Sequence, residues 1–177
     1  MEDALSEIIR TLLQWLALPE IGLSAIFVIA LVSATLLPLG SEPVVFAYVN
    51  VSPDMFWPAI LVATLGNTLG GIISYWMGWG AKSAVERWRE KHPGDADHAR
   101  AQAGGRWHAF SDRWLTKLGP PALFFAWLPV VGDPLCAVAG YLRIAFWPSV
   151  FFMALGKFLR YVLMTYSLIW GWAAFGG

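Results

Sequence analysis

Glu42 lies in LLPLGSEPVVF, residues 36–46, and Asp133 lies in WLPVVGDPLCA, residues 127–137. Each acid directly precedes a proline inside an apolar run. Lys157 and Arg160 stand in a third apolar stretch, about midway between Trp147 and Trp170. A charge in such surroundings costs roughly 2.5–3.5 kcal/mol on membrane-insertion scales, so it needs a partner or a task. Snorkelling would have to bridge about 15 Å of helix rise from either base to the end of its stretch. Lys157 and Arg160 are three residues apart and fall on one helix face.

Two acids and two bases can neutralise one another in a shared polar cavity. Cations beside the N-termini of broken helices suit a phosphate or carboxylate. A carboxylate in a low dielectric favours its protonated form and can exchange a proton. Together these groups suit proton-coupled movement of an anionic headgroup. Glu42 and Asp133 are the candidates for transport and proton coupling. Lys157 and Arg160 are the candidates for headgroup binding, with Asn67 as an uncharged hydrogen-bonding group and Arg143 at the interface after the second break. A purely structural ion-pair network would use the same residues.

The elements that hold these charges belong in a bilayer. The 177 residues are 58% hydrophobic and 14% charged, with mean hydropathy +0.57. Soluble domains average about 45–50% apolar and about 25% charged residues. Phe56 to Trp79 carries no charged side chain, and it exceeds the roughly 20 residues that cross a bilayer. Eleven tryptophans, many at the ends of apolar runs, suit interfacial belts. The expected fold is an all-α integral membrane protein. Residues 1–19 begin acidic, unlike a cleaved signal peptide. Leu5, Ile8, Ile9, Leu12, Leu13 and Leu16 recur at helical spacing, which predicts an amphipathic helix on the membrane surface.

Eight of the twelve basic residues fall between Lys82 and Lys117, so segment 81–119 reads as a cytoplasmic connector. The apolar halves on either side of it resemble one another. Leu37-Pro38 and Glu42-Pro43 meet Leu128-Pro129 and Asp133-Pro134 at an offset of 91. Phe56-Trp57-Pro58 and Leu65-Gly66-Asn67 meet Phe146-Trp147-Pro148 and Leu155-Gly156-Lys157 at an offset of 90. Each unit, 20–80 and 120–172, predicts a broken helical hairpin (about 22–51 and about 120–143) followed by a spanning helix (56–80 and 146–172). Residues 173–177 form a tail. Pro38, Pro43, Pro129 and Pro134 mark the hairpin breaks, because proline lacks an N–H and disfavours helix at the preceding residue. Arms this short could enter the membrane and return on the same side. With the connector cytoplasmic, the hairpins would then enter from opposite faces, giving an inverted repeat of the kind found in many secondary transporters. The segment 22–37 could instead span if tilted.

Other chemistries are poorly supported. Zero net charge gives no nucleic-acid signal. Cys136 is the only cysteine, which excludes an intrachain disulfide and leaves a small packing residue. His92, His98 and His108 lack a compact zinc spacing, so no metal or other cofactor is expected. GNTLGG, residues 66–71, lacks the Lys-Ser/Thr of a phosphate loop; its small residues suit close helix packing within a chain or between copies in a homo-oligomer. No Ser-His-Asp or Cys-His set stands out, and no enzymatic activity is expected.

The motifs resemble the DedA family of membrane proteins (the VTT or SNARE-associated Golgi protein superfamily), most closely its small YqaA-type branch. LPLGSEP resembles the first-hairpin Pro-Gly-Glu element, with Glu42 as its acid. GNTLGGIISYWMG is similar to G-x-x-L-G-D-x-x-x-Y-x-I-G at Gly66, Leu69, Gly70, Tyr75 and Gly78. WLPVVGDPLCAVAG and the later GKFLRY resemble the second hairpin and the closing helix. The resemblance implies re-entrant hairpins in inverted repeats and residence in the bacterial inner membrane. It also implies movement of a phospholipid or of undecaprenyl phosphate, linked to proton motive force and envelope homeostasis. Where the broader pattern has two arginines around the second hairpin proline, this chain has Ala126 and Gly132. Where it has Asp after Leu-Gly, this chain has Gly71. Lys157, Arg160 or Arg143 would have to replace those arginines, or the substrate differs. The same charges would also serve a proton- or cation-coupled carrier of small solutes, and a non-transporting envelope-stability protein could keep them as structure.

Overall fold

Helix begins where the sequence places proline in a first turn, since that position needs no backbone donor. The computed structural model describes residues 19–36, 40–91, 118–128 and 132–175, and helices are the only regular elements among them. Helix α1 (Pro19–Leu36) is followed by α2 (Glu42–Val51), a 3-10 turn (Pro53–Met55) and the long α3 (Phe56–Lys91). A 3-10 helix (Pro120–Trp127), α4 (Gly132–Tyr141) and the long α5 (Phe146–Phe175) complete the order. The repeated Phe-Trp-Pro words open α3 and α5. The expected N-terminal helix, Pro38, Pro129, the three histidines and most of the connector lie outside the described residues.

The broken segments differ in detail from expectation. Glu42-Pro43 and Asp133-Pro134 occupy the first turns of α2 and α4 instead of the interruptions before them. The physical reason is favourable placement: a carboxylate complements the positive N-terminal end of a helix, and proline is tolerated there. The first arm of the second segment is 3-10 rather than α helix, behind Gly119 at φ 61°. Helix α3 continues past residue 80 to Lys91 through AKSAVERWREK, a run dominated by good helix formers.

The segments Pro53–Trp88 and Phe146–Trp172 are long and apolar enough to cross a membrane. Helix α5 is inside-out relative to a soluble helix. Ser149, Met153, Lys157, Tyr161 and Thr165, at successive fourth positions, are all buried. Phe151, Leu155, Leu159 and Leu163 form an exposed apolar row. Polar groups inside and hydrocarbon outside is the pattern that a lipid solvent demands. Exposed tryptophans flank both long helices: Trp57, Trp79 and Trp88 on α3, and Trp147, Trp170 and Trp172 on α5. They suit the two membrane–water interfaces.

The chain divides into two compact units, the first running up to Gly70 and resuming at Phe158, the second spanning Gly71–Lys157. In the first, α1, α2, the start of α3 and the end of α5 enclose Ile26, Ala30, Val45, Tyr48, Ile60, Ala63 and Tyr161. Gly66 lets α3 approach the Phe27 carbonyl of α1, where a Cβ would collide. In the second, Tyr75, Leu123, Ala126, Cys136, Ala139 and Met153 form the core. Gly156, the repeat counterpart of Gly66, meets the Phe124 carbonyl in the same manner.

Candidate functional site

Each unit holds one acid–base pair with a largely buried base. In the first, Glu42 on the opening turn of α2 is ion-paired to Arg160 of α5, and both side chains are almost wholly removed from solvent. Gly40 provides the room: a Cβ there would overlap the Glu42 carboxylate and lie 3.3 Å from an Arg160 guanidinium nitrogen. This explains the LGSEP word, in which a residue without a side chain precedes the acid by two.

The Glu42 turn is anchored from behind. Ser41 is the residue before α2, and its carbonyl accepts from the Val44 and Val45 amides. Its hydroxyl makes no cap on that helix; it bonds the Tyr161 hydroxyl at 2.5 Å instead. Asn67 of α3 donates its amide to the same phenol at 2.9 Å. Tyr161, 1% exposed, thus joins three helices beside the ion pair.

In the second unit, Asp133 on the opening turn of α4 accepts from the Lys157 ammonium at 2.9 Å. The pair is lopsided: the lysine side chain is 1% exposed and the aspartate 31%. Gly71 makes the ammonium's space, because a Cβ there would stand 3.1 Å from Lys157 Nζ and 3.5 Å from Cys136 Sγ. Cys136 is buried and free, and its thiol donates to the Gly132 carbonyl at 3.3 Å. It packs among apolar groups, as its sequence context suggests.

The predicted site residues therefore separate by partner. Glu42 meets Arg160, and Asp133 meets Lys157. Asn67 serves Tyr161, so its observed contact supports the Glu42 turn. Arg143 lies outside these clusters: it is exposed, paired to Glu86 at 3.0 Å, near Ser83 at 3.4 Å and stacked over Trp79 at 5.4 Å. Pro43 and Pro134 are helical first-turn residues. Sequence reasoning missed Ser41, Tyr161 and Gly40. The signal for Tyr161 was available, because it follows Arg160 and stands four residues after Lys157, on the buried row of α5.

The arrangement is suited to one kind of chemistry. Two cations of different geometry, a planar guanidinium and a compact ammonium, are each masked by a carboxylate. An incoming anion could take either carboxylate's place, and protonation of that carboxylate would ease the exchange.

Comparison with known proteins agrees with this architecture. The VTT domain family matches residues 37–169. Inner membrane protein YqaA of Escherichia coli K12 is 36% identical over 152 residues, which cover 85% of this chain and 94% of that protein. The YqaA protein of Shigella flexneri matches to the same extent. An uncharacterized protein of Haemophilus influenzae is 36% identical over 153 residues, covering 82% of this chain and 86% of its own. No solved structure matches. The chain belongs to the DedA family of VTT-domain proteins and is an inner-membrane protein.

Proposed function

We propose that this protein moves an anionic lipid headgroup, phospholipid or polyprenyl phosphate, across the inner membrane without covalent chemistry. The observation that carries the reading is that each unit pairs a carboxylate on the first turn of a short helix with a largely buried base midway along α5. Buried ionisable residues of this kind mark transport pathways more often than structural positions in membrane helices. In the proposed mechanism, protonation of Glu42 or Asp133 releases Arg160 or Lys157 to the phosphate. Deprotonation then restores the internal pair and expels the headgroup. The acyl or polyprenyl tail stays in lipid beside the exposed apolar row of α5.

The accompanying topology is an inverted repeat whose broken segments re-enter the membrane. The basic segment after α3 would be cytoplasmic, and the N-terminal helix would lie on the surface. Support comes from the repeated motifs and from the matching roles of Gly66 and Gly156. Reporter fusions at both termini test it: under this topology the two ends read the same side.

Liposomes carrying the purified protein and a fluorescent headgroup-labelled phospholipid, or radiolabelled polyprenyl phosphate, test transport. Wild type should speed translocation, and Glu42→Gln and Asp133→Asn should each abolish most of the gain. Unchanged translocation in both variants would defeat the reading. A structural role has one observation in its favour, the closed Lys157–Asp133 contact at 2.9 Å. It requires instead that envelope function survive replacement of all four charges by apolar groups of similar volume.

A further inference from the structure

Among the described residues, buried polar side-chain atoms without a protein partner occur in only one of the two units. In the first, the hydroxyls of Tyr48, Thr64, Thr68 and Thr165 and the Nε–H of Arg160 are buried and meet no acceptor or donor from the protein. Among the described residues of Gly71–Lys157, no buried side-chain nitrogen or oxygen is in that condition. The contrast is sharper for helical residues of one type. A helical hydroxyl or thiol ordinarily returns to the carbonyl four residues back. Ser149 does so to Ala145 at 2.7 Å and Cys136 to Gly132 at 3.3 Å. Thr64, Thr68 and Thr165 of the first unit do not.

These hydroxyls stand on the buried sides of helices that pack in the first unit. Thr64 and Thr68 stand three residues before and one after Asn67, on the buried side of α3. Thr165 lies one turn beyond Tyr161 on the buried row of α5. The Asn67–Tyr161 bond at 2.9 Å fixes those two helix surfaces against each other. Residues three or four apart are neighbours on a helix, so the threonines lie within a turn of that bond. Tyr48 belongs to the same core cluster as Tyr161, and Arg160 is adjacent in sequence. Each such donor left dry would cost roughly 1–3 kcal/mol, and in hydrocarbon no lipid can relieve it.

We propose that the first unit contains a hydration site, with ordered water bound among Tyr48, Thr64, Thr68, Thr165 and the Arg160 Nε–H, beside the Glu42–Arg160 pair. The second unit, cored by Met153 and Cys136, holds no such orphaned donor among its described residues and calls for no buried water there. A bound water makes about three hydrogen bonds, and the cluster supplies donors and hydroxyl acceptors in the number that several waters require. This assignment stands apart from the transport reading: lipid movement could be absent with the waters present, and the reverse.

Radiolytic hydroxyl-radical labelling of the intact protein in lipid nanodiscs tests it, because radicals formed at bound water mark the nearest side chains. Tyr48 and Tyr161 are 5% and 1% exposed against 0% for Met153 and Cys136, all four being buried, while sulfur side chains are intrinsically the easier to oxidise. Bound water in the first unit should reverse that order, with both tyrosines labelled faster than Met153 and Cys136. Thr64→Val and Thr165→Val, which remove hydroxyls at nearly constant volume, should lower tyrosine labelling several-fold. Labelling of the sulfurs ahead of the tyrosines, or tyrosine labelling indifferent to both valines, would overturn the assignment.

Discussion

Ser41 and Tyr161, separated by 120 residues, share a hydrogen bond at 2.5 Å, and the serine forgoes the capping role that its place before α2 would ordinarily give it. A serine in that position commonly accepts from the second or third amide of the helix that follows. Here Pro43 removes one of those amides, and the Ser41 carbonyl already takes the Val44 and Val45 amides. The side chain is thereby released to anchor the turn that carries Glu42.

Loss of the phenol oxygen should be costly. Tyr161→Phe leaves the Asn67 amide without its acceptor in a buried place and frees Ser41, a loss of about 1–3 kcal/mol. Ser41→Ala should cost less, since Asn67 keeps its partner. The pair in combination should fall short of the sum of the singles, because both break the same bond. Thermal unfolding of detergent-solubilised variants measures all three.

The lopsided Asp133–Lys157 pair gives an ordering. Removing Lys157 as Lys157→Met leaves a carboxylate that is 31% exposed and can find water. Removing the acid as Asp133→Ala takes the counter-charge from an ammonium that is 1% exposed. Breaking a buried pair by deleting one partner costs about 3–5 kcal/mol when the survivor stays buried. Asp133→Ala should therefore be the more destabilising change, and adding Lys157→Met to it should recover much of the loss. Melting temperatures in one detergent decide the order.

The sequence carried the essentials of this fold because lipid imposes strict rules. Helical content and apolar stretches long enough to span follow from backbone satisfaction and burial cost. The four charges set in apolar runs were legible for the same reason, each too expensive to stand alone. The pairing was not, because nothing in spacing says whether Glu42 meets Arg160 or Lys157. Packing decides that, through the space left by Gly40 and Gly71. The acids' positions inside first turns were also hidden, since proline before an apolar run marks a break and a helix start alike. Arg143 shows the opposite limit: a base next to a membrane segment suggests an anion, but its partner Glu86 lies 57 residues earlier.

Gly66 and Gly156, matched by the repeat, should behave alike. Each opposes a carbonyl of another helix, and a Cβ has no space. Alanine at either site should lower stability by about 1–3 kcal/mol, as overpacking does. Gly80 and Gly171 have nothing within 4 Å of a built Cβ. Gly80→Ala and Gly171→Ala should be neutral or raise stability by up to about 1 kcal/mol through helix propensity. Equal effects at the packed and open pairs in a thermal series would contradict this account.

Arg143 holds a left-handed conformation, φ 56°, at the end of α4. The amides of Arg143 and Ile144 bond the carbonyls of Gly140 and Ala139 at 3.0 and 3.1 Å, the double closure that usually places glycine at this point. An L side chain there costs about 1–2 kcal/mol, and the arginine offsets it through Glu86, Ser83 and the Trp79 ring. Those partners are about half exposed or at the surface, where an ion pair contributes about 0–1 kcal/mol. Arg143→Gly should consequently be near neutral, trading the contacts for a relaxed backbone. Arg143→Ala loses the contacts and keeps most of the strain, so it should be less stable than Arg143→Gly by about 1 kcal/mol. The same ranking should hold in high salt, which screens the Glu86 pair but leaves the backbone difference intact. Unfolding of the two variants at low and high ionic strength checks both statements.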